Sequence, residues 1–242
     1  MEFEELAVDP LAGGIMRGYQ CGMLWGAALA AGAQAYRLFG KCSQAEARAM
    51  IAAQGIVESF RAQNKNIDCR AITGIDLSSP TPEKIIRFLI KSAPTGSCFG
   101  MSARCAKAAL GEINATLSEK HIEVPSVPVS CSAILAQKMG ASDVQTVMAA
   151  GLAGGIGLSG GACGALGTAI WIIGMNSLKD GTGKIGLNPP DALAAIDRFT
   201  KCTDHEFECS QLVGRQFESV ADHASYVRAG GCSEIIKVLA VQ

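Results

Sequence analysis

The chain contains the same passage twice, and no other feature restricts its fold as strongly. "AGGIMRGYQCGMLWGAALAAG" (residues 12–32) aligns with "AGGIGLSGGACGALGTAIWIIG" (153–174) once one residue is inserted before the second cysteine. In both, AGGI leads to Cys-Gly, with a Leu three residues and a Gly eleven residues after the cysteine. The echo continues downstream, where "FRAQNKNIDCRAITG" (60–74) resembles "FTKCTDHEFECSQLVG" (199–214) and pairs Cys69 with Cys209. Beyond these, "GSCFGMSARCAKAALGEI" answers "GGCSEIIKVLA", so Cys98, or failing it Cys105, is the counterpart of Cys232. Each repeat is one supersecondary unit that buries its apolar face against its neighbour. The expected molecule is two related units around a pseudo-twofold axis, with residues 12–105 superposing on 153–232.

The copies are unequal. Upstream of its central passage the second carries "SCSAILAQKMG", an N-cap serine and a helix bearing Cys131, for which residues 1–11 leave the first copy no room. This gives an incomplete three-cysteine copy at 1–118 and a complete four-cysteine copy at 119–242, joined near the proline-containing "HIEVPSVPVS" and possible to pack as one unit. Between the landmarks, "SQAEARAMIAAQGIVESFRAQ", "TPEKIIRFLIKS" and "PPDALAAIDRFTKC" each begin with a cap or a first-turn proline and space their apolar residues near 3.6. No alternating strand pattern stands out. The fold class is all-α, a helical bundle of two repeated units with a buried Gly/Ala-rich central helix in each.

The central passage of the second copy admits three readings. "GIGLSG" (155–160) matches the dinucleotide fingerprint, with Asp180 twenty residues after the last glycine, but that motif must follow a buried strand. What precedes it, "ASDVQTVMAAGLAGG", is helical in composition with Ser142 or Asp143 as N-cap, so this reading is set aside. A membrane span is suggested by the lack of charge between Asp143 and Lys179 and by glycines four apart. Yet only "ALGTAIWIIGM" is strongly apolar, too short to cross a bilayer, and no membrane insertion is expected. The remaining reading is a short amphipathic helix, a Gly-rich turn, and a buried helix whose first turn carries Cys163. At a helix N-terminus the dipole and free N–H groups favour a thiolate, a setting for a reactive or metal-ligating cysteine.

Composition removes other classes. With 21 basic and 22 acidic residues and 5% aromatics, the chain has no basic footprint for nucleic acid. The acidic start "MEFEELAVDP" has no signal-peptide pattern, so a cytoplasmic location is expected. Ten cysteines are then unusual, because a reducing compartment does not favour structural disulfides. No C-x-x-C pair occurs among them, which argues against a zinc ribbon or a thioredoxin-type site.

Together these residues make the chain similar to the redox-active family known for its C, GCAxxG, C, C signature. The second copy supplies Cys131, "ACGALG" around Cys163, "ECSQLVG" around Cys209 and "GGCSEI" around Cys232. The first supplies "QCGMLWG", "DCRAITGIDLSSP" and "GSCFGM" and lacks the first cysteine. The central motif departs from the signature, with Ala162 and Gly164 in place of Gly and Ala, and with Gly26 one position late in the first copy. A related module occurs in a cytochrome with an iron–sulfur cluster, so the resemblance implies redox or iron–sulfur chemistry with an unnamed redox partner. Cys131, Cys163, Cys209 and Cys232 would converge as ligands of a cluster or other metal, with backbone N–H groups of a turn containing Gly160, Gly161 and Gly164 tuning it. The alternative is a metal-free dithiol relay with Cys163 attacking and Cys131 resolving. A third is a structural protein with inert buried thiols. Cys21, Cys69, Cys98 and Cys105 form a second, incomplete site, which a homodimer partner could complete. His205 and His223 are read as surface residues, the latter with a place near Cys232 as the alternative, and His121 as linker. Trp25 and Trp171 are read as core, and Cys42 and Cys202, without repeat counterparts, as incidental.

Overall fold

The structure, a computed structural model, describes residues 2–79, 81–94, 97–119, 130–179, 187 and 189–241. His121, Asp180 and nearly all of the expected join at 121–130 lie outside them. Among the described residues the regular structure is helical throughout. The first copy runs through α1 (Glu2–Leu6), a 3₁₀ turn (Asp9–Leu11), α2 (Gly22–Phe39), α3 (Ser43–Asn64), α4 (Cys69–Thr73), α5 (Pro82–Ser92) and α6 (Ser97–Ser118). The second runs through α7 (Cys131–Lys138), α8 (Asp143–Ala150), α9 (Gly164–Lys179), α10 (Pro190–Cys202), α11 (Cys209–Val213), α12 (Val220–Arg228) and α13 (Ser233–Leu239). The order α2 to α6 is repeated by α9 to α13, as the internal alignment requires.

Helix starts follow local chemistry. Pro82 and Pro190 occupy the first turns of α5 and α10, where a missing N–H costs nothing, and Thr81 Oγ1 accepts the Lys84 N–H at 3.3 Å. Ser142 opens α8 with a capping box: its hydroxyl accepts the Gln145 N–H while Gln145 Oε1 accepts the Ser142 N–H at 2.9 Å. The short helices α4 and α11 both stop at a glycine with positive φ, Gly74 (+67°) and Gly214 (+77°), so the repeat extends to its stop signals.

The core lies on the two central helices. Residues 164–175 of α9 are buried all round, and Trp25 on α2 and Trp171 on α9 are both fully buried, as the sequence reading expected. Their indole N–H groups are satisfied by the carbonyls of Gln20 (3.1 Å) and Glu4 (3.0 Å). The copies interleave: α8 of the second packs on α2 and α3, while α1 of the first packs on α9. Trp25 reaches across so far that a Cβ on Gly167 would stand 2.0 Å from its ring. One apolar cluster consequently draws residues from both copies.

Before each central helix the backbone winds the wrong way. Gly154, Gly155, Ile156, Gly157 and Leu158 all have φ between +55° and +76°. The first copy does the same at Gly13, Gly14, Ile15 and Met16, with φ between +52° and +64°. Left-handed turns cost about 1–2 kcal/mol per non-glycine residue, and a β-branched residue there is an outlier. That two isoleucines at matching positions accept this cost shows that packing over-determines the turn. The Gly-rich composition foretold a turn in the second copy, but its left-handedness in the first, with only two glycines in the run, was not legible.

Candidate functional site

Each left-handed turn leads into one extended residue that pairs with the residue before the third cysteine. Gln20 pairs with Asp68 and Ala162 with Glu208, both antiparallel. Around the first bridge, Cys21 N–H donates to the Ile67 carbonyl (2.8 Å) and Cys69 N–H to that of Tyr19 (2.7 Å). Around the second, Cys163 N–H donates to Phe207 (2.8 Å) and Cys209 N–H to Gly161 (2.7 Å). Side chains alternate along extended backbone, so in each copy these two cysteines flank the bridge on the same face. The thiol pairs Cys21/Cys69 and Cys163/Cys209 are thus set by backbone geometry.

In the second copy two further thiols join the pair. Cys131 is the first residue of α7, behind the Ser130 N-cap, and Cys232 is the N-cap of α13, itself at φ +62°. Burial opposes ionisation of Cys209 most strongly, followed by the charges of Cys163, Cys131 and Cys232, so all four thiols share one electrostatic neighbourhood. Burial likewise pushes up Cys232, with Cys131 and then Cys163 adding to it. Cys131, Cys163 and Cys209 are buried and Cys232 is half-buried, which places Cys232 at the rim.

Cys131 behaves differently. Burial opposes its ionisation, yet the imidazolium charge of His223, a hydrogen bond from that ring, the Gly154 N–H and Ser132 together hold its thiol below the ordinary value. His223 is buried on α12, edge-on to Phe217 at 4.8 Å between ring centres. The start of α12 is fixed by its neighbour: Asp222 takes a bidentate bond from Arg215 at 2.6 and 2.7 Å, and the Ser219 hydroxyl accepts the Asp222 N–H at 3.1 Å. The surface reading of His223 is therefore corrected; VADHASY shows nothing of the contact, which exists only because α12 packs toward Cys131.

Two further expectations differ from the structure. Cys163 sits just before α9 and does receive the N–H groups of Ala165 and Leu166, but loss of water outweighs them and raises its thiol to about 12. The thiol whose ionisation its neighbours favour is Cys131. The glycines also serve packing more than ligation: Gly160 N–H is taken by the Gly154 carbonyl (2.9 Å), and Gly161 and Gly164 leave room for the Gln20 amide and the Leu152 carbonyl. The amides that reach sulfur are those of Gly154, Ala165 and Leu166. Among the described residues, no three His, Cys, Asp or Glu side chains are placed to hold a single metal ion.

The first copy repeats the pair without the rest. Burial raises Cys21 to about 12, with Cys69, Cys98 and Cys105 adding to it, and raises Cys69 to about 11. Cys98 lies at the start of α6 and lines one cavity with Cys21 and Cys69, which makes it the counterpart of Cys232. Cys105, about two turns further along, accepts from Asn64 Nδ2 at 3.6 Å. Among the described residues, α1 and the 3₁₀ turn precede the first copy's left-handed turn, and neither carries a cysteine to match Cys131. His205 has a left-handed backbone at the end of α10; Cys42 is half-buried and Cys202 exposed.

A helical protein whose halves each set cysteines around the same backbone bridge is a duplicated thiol-site protein. The chain belongs to the family described as "Putative redox-active protein (C_GCAxxG_C_C)", whose model matches it twice, over residues 4–111 and 129–241. No curated protein and no solved structure matches it. No helix among the described residues is long and apolar enough to cross a membrane.

Proposed function

We propose that Cys131, Cys163, Cys209, Cys232 and His223 form one buried redox centre whose active thiolate is Cys131. The observation that carries this is the contact at Cys131: the His223 ring and the Gly154 N–H both bond to its buried sulfur and favour its thiolate, whereas burial pushes up Cys21, Cys69, Cys105, Cys163 and Cys209. A buried thiolate beside an imidazolium is the arrangement of an activated sulfur nucleophile. Oxidation would join the Cys131 thiolate to a neighbouring thiol, whose S–H bond breaks as the S–S bond forms, with two electrons, that thiol's proton and the His223 imidazolium's proton passing to an external two-electron acceptor. Cys232, at the rim and acted on by the charge of Cys131 ahead of that of Cys163, is the natural partner. This moves the attacking role expected of Cys163 to Cys131, and the resolving role expected of Cys131 to Cys232.

A second reading is an iron–sulfur cluster on the same four cysteines, supported by the mutual electrostatic influence of four soft donors where a relay needs two. The set fits in number and softness, and the amides of Gly154, Ala165 and Leu166 would bond to the ligating sulfurs. Bound there, a cluster would supply one-electron transfer. A cluster also spreads its thiolates more widely than a single ion does.

Anaerobic purification tests both. A relay gives colourless, iron-free protein that titrates with at least two more thiols per chain after reduction than after mild oxidation. A cluster gives brown protein, broad absorbance near about 400 nm and several irons per chain, bleached by a chelator. Protein that is colourless, iron-free and unchanged by mild oxidants would overturn the redox centre in either form.

A further inference from the structure

Beside Cys21, Cys69 and Cys98 the first copy opens into a cavity of about 430 Å³. Met23, Gly26 and Ser102 also line a second of about 510 Å³, which continues between α2, α3 and α6 past Ile56, Phe60 and Ile113. The two adjoin along α2, with Cys21, Cys69 and Cys98 in the first and mostly apolar walls, with Cys105 and Gln63, in the second. Asp9 carries the only formal charge among the described residues that line them, and no basic side chain is present. Phosphates, nucleotides and carboxylates would find no counter-charge there, whereas a flat uncharged ring would find apolar walls.

We propose that these adjoining cavities bind an uncharged two-electron oxidant of the quinone class, which the Cys21–Cys69 pair reduces. The bridge between Gln20 and Asp68 puts both sulfurs on one face as diagonal neighbours, a relation that spans about 7–8 Å between backbones. A disulfide requires about 4.4–6.8 Å between Cα atoms, so a small shift of α4 closes it. In the step two S–H bonds break and one S–S bond forms, while the quinone takes up two electrons and two protons to become the hydroquinone. Burial suits this chemistry: with Cys21 raised to about 12 and Cys69 to about 11, both enter as neutral thiols and each brings its own proton. The inference rests on the redox reading of the family's cysteines but on none of those in the second copy.

The test uses reduced full-length chain and duroquinone, whose fully substituted ring leaves thiols no position to add to. One equivalent should be converted to hydroquinone, and mass-spectrometric mapping should find a Cys21–Cys69 disulfide. Gly26→Leu should slow this at least tenfold by filling the junction of the two cavities, where an added Cβ meets nothing within 4 Å and the fold has room for it. Durene, the same ring without carbonyls, should compete in the unaltered chain. Failure to form the Cys21–Cys69 disulfide, or a rate indifferent to both durene and Gly26→Leu, would overturn the proposal. Alkylation of Cys131, followed in the same samples, reports on the second-copy centre separately, so the failure of one reading is distinguishable from failure of the other.

Discussion

At the scale of single residues, the pairing of Cys131 with His223 makes the sharpest demand. Replacing His223 by Gln removes the positive charge while leaving burial in place, so the Cys131 thiol should rise above its ordinary value. Alkylation of Cys131 at pH 7, followed by peptide mass spectrometry, should slow at least tenfold, with exposed Cys202 as the internal control. An unchanged rate would remove His223 from the account. The raised thiols give a second expectation. Cys21, Cys69 and Cys163 stay neutral in the fold to about 12, 11 and 12, but ionise near 9 in the unfolded chain. Their contribution to stability is complete below about pH 9 and is lost as pH rises through the folded values, with a slope of up to about 1.4 kcal/mol per pH unit per thiol. Denaturant midpoints measured at pH 8 and pH 10 should show this decline, and serine at Cys163 should reduce it. The cysteines themselves were legible because a repeated letter survives alignment. His223 was not, since its meaning comes from where the fold sets its ring against Cys131, and a helix-start argument for Cys163 underestimates the cost of full burial.

At the scale of elements, the left-handed turn and the paired bridge form one device. The turn brings Gly154 N–H to Cys131, and the bridge fixes Cys163 against Cys209. A Cβ on Gly155 would lie 2.4 Å from the Gly161 carbonyl oxygen at φ +76°, so Gly155→Ala adds both strain and overlap. The expected loss is roughly 2 kcal/mol or more, a fall in Tm of about 4 °C or more for a chain of this size. Gly26→Ala, inside α2 with open space around it, should instead gain about 0.5–1 kcal/mol. Thermal unfolding of the two variants side by side checks the contrast, and equal effects would contradict this account of the turn. Helix positions were legible from caps and prolines. The bridges were not, because each involves one pair of residues and leaves no alternating pattern to detect.

At the scale of the whole molecule, the two copies share a core and a polar fastener. Gln20, fully buried, donates through Nε2 to the Gly155 carbonyl at 3.1 Å and accepts the Ala162 N–H through Oε1 at 2.8 Å. One side chain thereby ties the residue before Cys21 to the residue before Cys163. Gln20→Ala should leave the buried Ala162 N–H unpaired and the Gly155 carbonyl with the Ser159 hydroxyl alone, costing about 1–3 kcal/mol, and should lower the stability of both copies together. Heating followed by far-ultraviolet circular dichroism should give a single transition before and after the change; two separate transitions would show that the copies do not form one cooperative unit. The duplication was plain in the sequence, but interleaving was not, because alignment reveals that two units match and is silent on which helix crosses to the other side.

The central claim, that four cysteines and one histidine make a single centre with Cys131 as its active thiolate, is tested most directly by mapping the first disulfide to form. The chain, stripped of any iron by a chelator and fully reduced, would be treated with one equivalent of diamide and digested for mass spectrometry. The account expects Cys131 in that first bond, with Cys232 as its partner, and expects the bond to be lost in Cys131→Ser and slowed in His223→Gln. A first bond confined to Cys42 and Cys202, with Cys131 still free, would contradict it.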